Sequence, residues 1–254
     1  MTELCRYVIV GRGRWASRMD AILAGEGHPT IPLNESRRGP TEPEDSYRER
    51  LRDFFAKSAG QVAWLCVPPG HHVPVMVEAA LDAGLHVIVE KPWFCSREET
   101  GVLEALARGR RLIVGIHYEY CLMEQAQRWR REWHGGSGLN FGGRMKIQRP
   151  NHLGLHALEN LGSHLFAIQE YCVPRSTATE MDCRYEQKDE RRAWLDKKDQ
   201  RVAEIDLLAN KEPIIQRFIA QLESATHGGE FPFNLQFGFK VAERVALWRQ
   251  RAHS

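Results

Sequence analysis

Short, continuous apolar runs punctuate the first 118 positions of the chain, and stretches of helical spacing separate them. RYVIV (6–10), TIPL (30–33), VAWLCV (62–67), HVIVE (86–90) and RLIVGI (111–116) are rich in β-branched residues. Each is too short for a helix and reads as a buried strand. Between them, Trp15, Met19, Ile22 and Leu23 recur at helical spacing, as do Leu51, Phe54 and Phe55. PVMVEAALDAG (74–84) ends in a glycine C-cap. Ser96-Arg97-Glu98-Glu99 forms a capping box that opens a further helix. Strand and helix in alternation predict a parallel sheet with right-handed crossovers, a doubly wound Rossmann domain over residues 1–118.

The pattern changes after His117. An amphipathic helix is expected over 122–133, a strand over 142–150 (GGRMKIQRP) and a helix over 156–171 (HALENLGSHLFAIQEY). Residues 176–210 alternate weakly and carry many charges, including EQKDERR (186–192), and helices are expected near 212–225 and 233–251. The fold class is therefore α/β. A Rossmann domain (1–118) precedes a second α+β domain (119–254) with a reduced open sheet.

The 254 residues are 43% hydrophobic, enough for a sizeable core, and the formal charge of +2 points to no nucleic-acid surface. Six cysteines, none in a C-x-x-C pair, suggest free thiols in a reducing compartment. No apolar leader and no stretch of about 18 apolar residues occurs, so a soluble, cytoplasmic protein with no membrane partner is expected.

The run GRGRWA (11–16) follows the first strand and opens a helix. Gly11 permits the tight turn, Gly13 leaves room for a pyrophosphate, and Ala16 allows close packing of helix on strand. The helix N-terminus offers N–H donors to phosphate. Gly11, Gly13, Arg14, Trp15 and Ala16 are thus candidates for cofactor contact. After the second strand comes Asn34-Glu35-Ser36-Arg37-Arg38. An acid there would pair with the ribose hydroxyls of NAD, whereas Ser36, Arg37 and Arg38 suit the 2′-phosphate of NADP. The Ser-Arg-Arg run favours NADP(H) over NAD(H).

The glycine loop, the proline turn closing VAWLCV, and above all AALDAGLHVIVEKPW resemble the Gfo/Idh/MocA oxidoreductases. The resemblance spans roughly residues 1–118 and continues weakly through LGSHLFAIQEY. It implies hydride transfer between a nicotinamide and a carbon bearing oxygen or nitrogen, on a sugar-like or other small metabolite. It also implies a second domain whose open sheet often forms an oligomer interface, hence a homodimer. The family's Glu-Lys-Pro lysine falls on Lys91 and its helix histidine on His164. The aspartate four residues before that histidine is Asn160 here, and the acid three residues after it is Ala167.

Lys91 stands at the carboxyl end of a parallel strand, where open sheets bind ligands. There its ammonium can hydrogen-bond a carbonyl oxygen and donate the proton as hydride arrives, with burial and the oxidised ring lowering its pKa, and Lys91 is also a candidate cofactor contact. Glu90 can contact the cofactor ribose or orient Lys91, or form a local ion pair. Pro68, Pro69 and His72 border the cofactor. His117 and Tyr118 follow the last Rossmann strand, where relatives line the nicotinamide pocket, as cofactor and substrate contacts respectively. His164 is a second acid/base or a holder of the substrate oxygen, and Asn160 fixes a tautomer or binds a hydroxyl. Arg149 and His152 can bind a substrate carboxylate or phosphate, or lie in a solvated loop. His156 extends the Asn160–His164 row toward substrate. These three in one row cannot converge on a metal, and none is expected. Two other readings stay open: a non-catalytic NADP(H)-binding subunit or sensor, and an enzyme using transient oxidation for elimination or epimerisation.

Overall fold

The computed structural model describes residues 4–33, 38–39, 41–148, 154–208 and 213–252. The chain forms two compact units, Met1–His117 with Ile219–Phe239, and Tyr118–Phe218 with Lys240–Ser254. No helix among the described residues is long and apolar enough to cross a membrane.

In the first unit, β1 (Tyr7–Val10), β2 (Thr30–Leu33), β3 (Val62–Leu65), β4 (His86–Glu90) and β5 (Val114–His117) form one sheet in the order β2-β1-β3-β4-β5. Every pairing is parallel. Helices α1 (Arg14–Gly25), α2 (Glu44–Lys57), α3 (His72–Asp82) and α4 (Arg97–Gly109) make the crossovers. The sheet is buried on both faces: Val8, Val10, Ala63, Trp64, Leu65, Val87 and Ile88 are all closed to solvent. That burial explains why these strands read as unbroken apolar runs. Ser96 caps α4 by accepting from the Glu99 N–H at 3.1 Å, while the Glu99 carboxylate accepts from the Ser96 N–H at 2.8 Å.

The return of 219–239 to this unit has a local cause. Gly115 in β5 lacks a side chain where the Phe231 ring and the Phe233 carbonyl approach. The Ile116 N–H then donates to Phe233 O at 2.7 Å, and Gly115 bridges Asn234 in antiparallel sense. The segment thereby covers the open edge of β5. At the opposite end of the strands, Glu223 accepts from Tyr7 Oη at 3.3 Å and lies 3.3 Å from His28 Nδ1. Residues 219–239, which fall within the second of the two domains expected from the sequence, group with the first sheet.

In the second unit, a 3-10 turn (Glu119–Leu122) leads into α5 (Glu124–Trp133). The strands β6 (Leu139–Ile147), β7 (Thr177–Tyr185), β8 (Glu190–Lys197) and β9 (Gln200–Asp206) form a mixed sheet in the order β7-β6-β8-β9. Its inner face carries Phe141, Met145, Ala193 and Leu195, all fully buried. Helix α6 (Ser163–Cys172) approaches that face closely, since a side chain at Gly143 would collide with Leu165. The outer face is charged: Arg144 lies between Glu180, Asp182 and Glu190 at 3.2, 3.3 and 3.4 Å. Helices α7 (Ile214–Thr226) and α8 (Leu235–Ala252) close the chain.

One helix was expected over 156–171. A π-helical turn (Leu158–Gly162) instead precedes α6. The wider turn changes the angular step between residues, so a simple four-residue spacing no longer defines the shared face.

Candidate active site

The first unit carries its candidate residues at the carboxyl ends of β1, β3, β4 and β5. Gly11 has φ +128°, and a Cβ there would sit 2.5 Å from the Cys66 carbonyl oxygen, so only glycine fits. Gly13 differs: nothing lies within 4 Å of an added Cβ. The space over Gly13, at the start of α1, is the room a pyrophosphate requires, and the helix N–H groups supply the donors. Ala16 is buried against the sheet, and Arg14 is exposed. The residues present therefore fit a dinucleotide.

Lys91 follows β4 directly and is half-buried, with a cis peptide to Pro92. Beside it, Glu90 and His117 are opposite partners across β4 and β5. The Glu90 Oε1 accepts from Trp64 Nε1 at 2.9 Å and lies 3.0 Å from His117 Nδ1. Trp15 stacks on the His117 imidazole with centroids 5.8 Å apart, and Trp64 meets it edge-on at 5.0 Å. The side chains of His117 and Glu90 are 0% and 14% exposed. Burial pushes the Glu90 carboxyl up, but the His117 ring and the N–H groups of His117, Trp15 and Trp64 outweigh it, holding the group below the ordinary glutamate range. Of the readings open for Glu90, the described contacts display the local pair, made with His117.

Pro68 is exposed and Pro69 half-buried in the turn after β3, and His72 opens α3. Arg38 donates from Nε to the Glu42 carbonyl at 2.7 Å and lies 3.6 Å from Glu44. Ser36, Arg37, Arg149 and His152 lie outside the described residues.

The second unit carries the other candidates. His164, the second residue of α6, is 8% exposed, and its ring meets Tyr120 edge-on at 4.9 Å. Asn160 donates from Nδ2 to Tyr185 Oη at 3.0 Å, at the end of β7. His156 uses Nδ1 to accept from the Leu158 N–H at 3.3 Å, capping the helical segment. Tyr118 is 1% exposed, and burial pushes its phenol up. Asn160 and His164 thus meet different tyrosines, one on the sheet and one on the 3-10 turn.

Three residues of these clusters went unremarked in the sequence as site candidates: Trp64, Tyr120 and Arg191. Trp64 is hidden in an apolar strand. Arg191 donates from Nη1 to Tyr120 Oη at 2.9 Å. It sits in the charged stretch 186–192, yet it shares the phase of Ala193 and Leu195, whose side chains face inward. That alternation was the available signal. The six free thiols show no activating surroundings: burial pushes Cys95, Cys172 and Cys183 up to about 12 and Cys66 and Cys121 higher than the ordinary thiol range.

Residues 34–118 match the family model GFO_IDH_MocA, described as oxidoreductase family, NAD-binding Rossmann fold. The uncharacterized oxidoreductase YfiI of Bacillus subtilis is 40% identical over 60 residues, a match covering 24% of this chain and 15% of that relative. Among solved structures, UDP-N-acetylglucosamine 3-dehydrogenase GnnA from Acidithiobacillus ferrooxidans superposes with a TM-score of 0.73 at 14% identity, covering 97% of each chain. The WlbA dehydrogenase from Bordetella pertussis, in complex with NADH and UDP-GlcNAcA, gives 0.70 at 13% identity, covering 97% of this chain and 96% of that one. Scyllo-inositol dehydrogenase from Lactobacillus casei, with NAD(H) and scyllo-inositol, gives 0.68 at 10%, covering 96% and 95%.

Proposed function

We propose that this chain, whose residues 34–118 match the Gfo/Idh/MocA oxidoreductase family model, works as a member of that family and transfers hydride between a nicotinamide dinucleotide and an oxygen- or nitrogen-bearing carbon of a small metabolite. The observation that carries this reading is the placement of Lys91 at the end of β4, in the sheet whose first turn leaves open space over Gly13. Relatives of similar fold bind NADH with a nucleotide sugar, or NAD(H) with a cyclitol. A sugar-like substrate belongs to the same proposal.

Gly11, Gly13 and the start of α1 hold the cofactor pyrophosphate, and Trp15, backed by the buried His117 ring, forms an aromatic wall at the strand ends. The bound cofactor supplies or accepts the hydride. Lys91 gives the proton to the substrate oxygen or nitrogen on reduction and takes it back on oxidation. In the second unit, His164 hydrogen-bonds a substrate oxygen, and Asn160 steadies Tyr185. Arg38 selects NADP(H) over NAD(H): Nε is held by the Glu42 carbonyl, while the ion pair of Nη1 with Glu44 is exposed and long and can yield to a 2′-phosphate. A homodimer is part of this reading and is tested by sedimentation.

The deciding experiment incubates the protein with cofactor deuterated at nicotinamide C4 and a panel of sugars, cyclitols, keto acids and imines. Deuterium on the product carbon is expected for one class. Cofactor binding with no deuterium transfer to any class would replace this reading with that of a binding subunit. Transfer followed by return of the deuterium to cofactor would replace it with transient oxidation.

A further inference from the structure

An arginine on the inner face of a sheet needs a reason, because burying a guanidinium without compensation is costly. Arg191 is such a residue. It pairs across the sheet with Met145, which is fully buried, and shares the inward phase of Ala193 and Leu195. Its side chain is 23% exposed. Nη1 donates to the neutral hydroxyl of Tyr120 at 2.9 Å, and Nη2 reaches Asp189 Oδ2 only at 3.4 Å. Asp189 is itself 41% exposed, and its other oxygen accepts from the Gln148 N–H at 2.8 Å. The buried Nε has no acceptor among the described residues.

The donor edge is placed with purpose. Tyr120 receives Arg191 at its hydroxyl, and its ring packs against His164 with centroids 4.9 Å apart and planes at 75°. Guanidinium, phenol and imidazole therefore follow one another in a single cluster, contributed by β8, the 3-10 turn and α6. A guanidinium held at Nη1 by a neutral hydroxyl and at Nη2 only by a long contact to the exposed Asp189, with Nε uncommitted, keeps the planar donor geometry that matches two oxygens of an anion.

We propose that Arg191, positioned by Tyr120 next to His164, binds an anionic group of the substrate, a carboxylate or a phosphate. This deepens the oxidoreductase reading and rests on it in taking the anion to be part of the hydride-exchanging molecule. The substrate class is thereby narrowed from neutral sugars and cyclitols to acidic or phosphorylated metabolites.

The test follows the ring-proton resonances of His164, assigned through His164→Gln, in the full-length chain. Malonate serves as the carboxylate probe and inorganic phosphate as the other. Titrations run with and without saturating NADP(H), which fills the glycine loop. A saturable shift is expected in both conditions, at least tenfold weaker in Arg191→Met and several-fold weaker in Tyr120→Phe. Response to malonate alone identifies a carboxylate substrate, and response to phosphate alone a phosphorylated one. Should Arg191→Met fail to fold, Arg191→Lys keeps the charge without the planar fork, and a several-fold loss is expected there. No saturable shift with either probe, or an equal shift in the Arg191 variants, overturns the proposal. Anion binding that persists in a protein showing no hydride transfer would sink the reaction and leave the anion site standing.

Discussion

Glu90 and His117 face each other across β4 and β5 at 3.0 Å, with the Trp64 indole donating to the same carboxylate oxygen. The sheet thus ends in a buried acceptor satisfied by two of its own side chains. Replacing His117 by Phe removes a donor to a buried carboxylate and should cost about 2 kcal/mol, read as a lower urea midpoint. The pH dependence has a definite sign. The folded Glu90 carboxyl lies below the ordinary 4.5, so the unfolded chain takes up the proton first. The stabilisation is complete above that value and is lost as pH falls through the folded pKa. Wild type should exceed Glu90→Gln in stability at pH 7, and the gap should close only below about pH 4.5. A gap that persists unchanged into strong acid would remove the carboxylate from this account.

The two glycines of the first turn should behave oppositely. Gly11→Ala forces a Cβ against the Cys66 carbonyl at positive φ, and about 1–3 kcal/mol of stability should be lost. Gly13→Ala meets nothing within 4 Å, so its thermal midpoint should barely move. Its cofactor affinity should nevertheless drop by about tenfold, because the added methyl occupies the space assigned to the pyrophosphate. Quenching of Trp15 fluorescence by titrated NADP(H) measures that loss. Full affinity in Gly13→Ala would move the pyrophosphate elsewhere.

What the sequence discloses depends on how local the cause is. The strands β1, β3, β4 and β5 were legible because burial leaves a continuous apolar run, and the α4 cap because Ser96 and Glu99 are three residues apart. The partnership of Glu90 with His117 was not legible. It depends on the β4–β5 register, which brings together side chains 27 positions apart. The cover that 231–234 gives to β5 was hidden for the same reason: nothing near Gly115 in the chain announces Phe231. In the second unit the π-helical turn altered the spacing from Asn160 to His164, and no local signal marks it.

Arg38 tests the cofactor preference. Its described contacts are the Glu42 carbonyl and Glu44, at the surface, where an ion pair contributes little to stability. Arg38→Ala should therefore leave the fold intact and lower kcat/KM with NADPH about tenfold relative to NADH, the scale of one lost charge-assisted contact. Equal losses with both cofactors would place Arg38 in the structure of the loop and remove it from selection.

Lys91 carries the sharpest prediction. It follows Glu90, which is anchored by Trp64 and His117, so the end of β4 is held firmly and substitution at Lys91 should not disturb the strand. Lys91→Met keeps much of the aliphatic stem and removes the ammonium. If Lys91 is the proton donor, turnover should fall about 10²–10⁴-fold, the usual contribution of a positioned acid or base. Cofactor affinity should stay within about twofold, since the pyrophosphate donors are assigned to the backbone N–H groups of Gly11–Ala16. A combined fall in affinity and turnover would make Lys91 a cofactor ligand. Near-normal turnover would pass the proton transfer to another group, with His164→Gln as the next variant to assay. A matched Lys91→Arg variant adds a further check: guanidinium does not release its proton near neutral pH, so charge should be retained without recovery of rate.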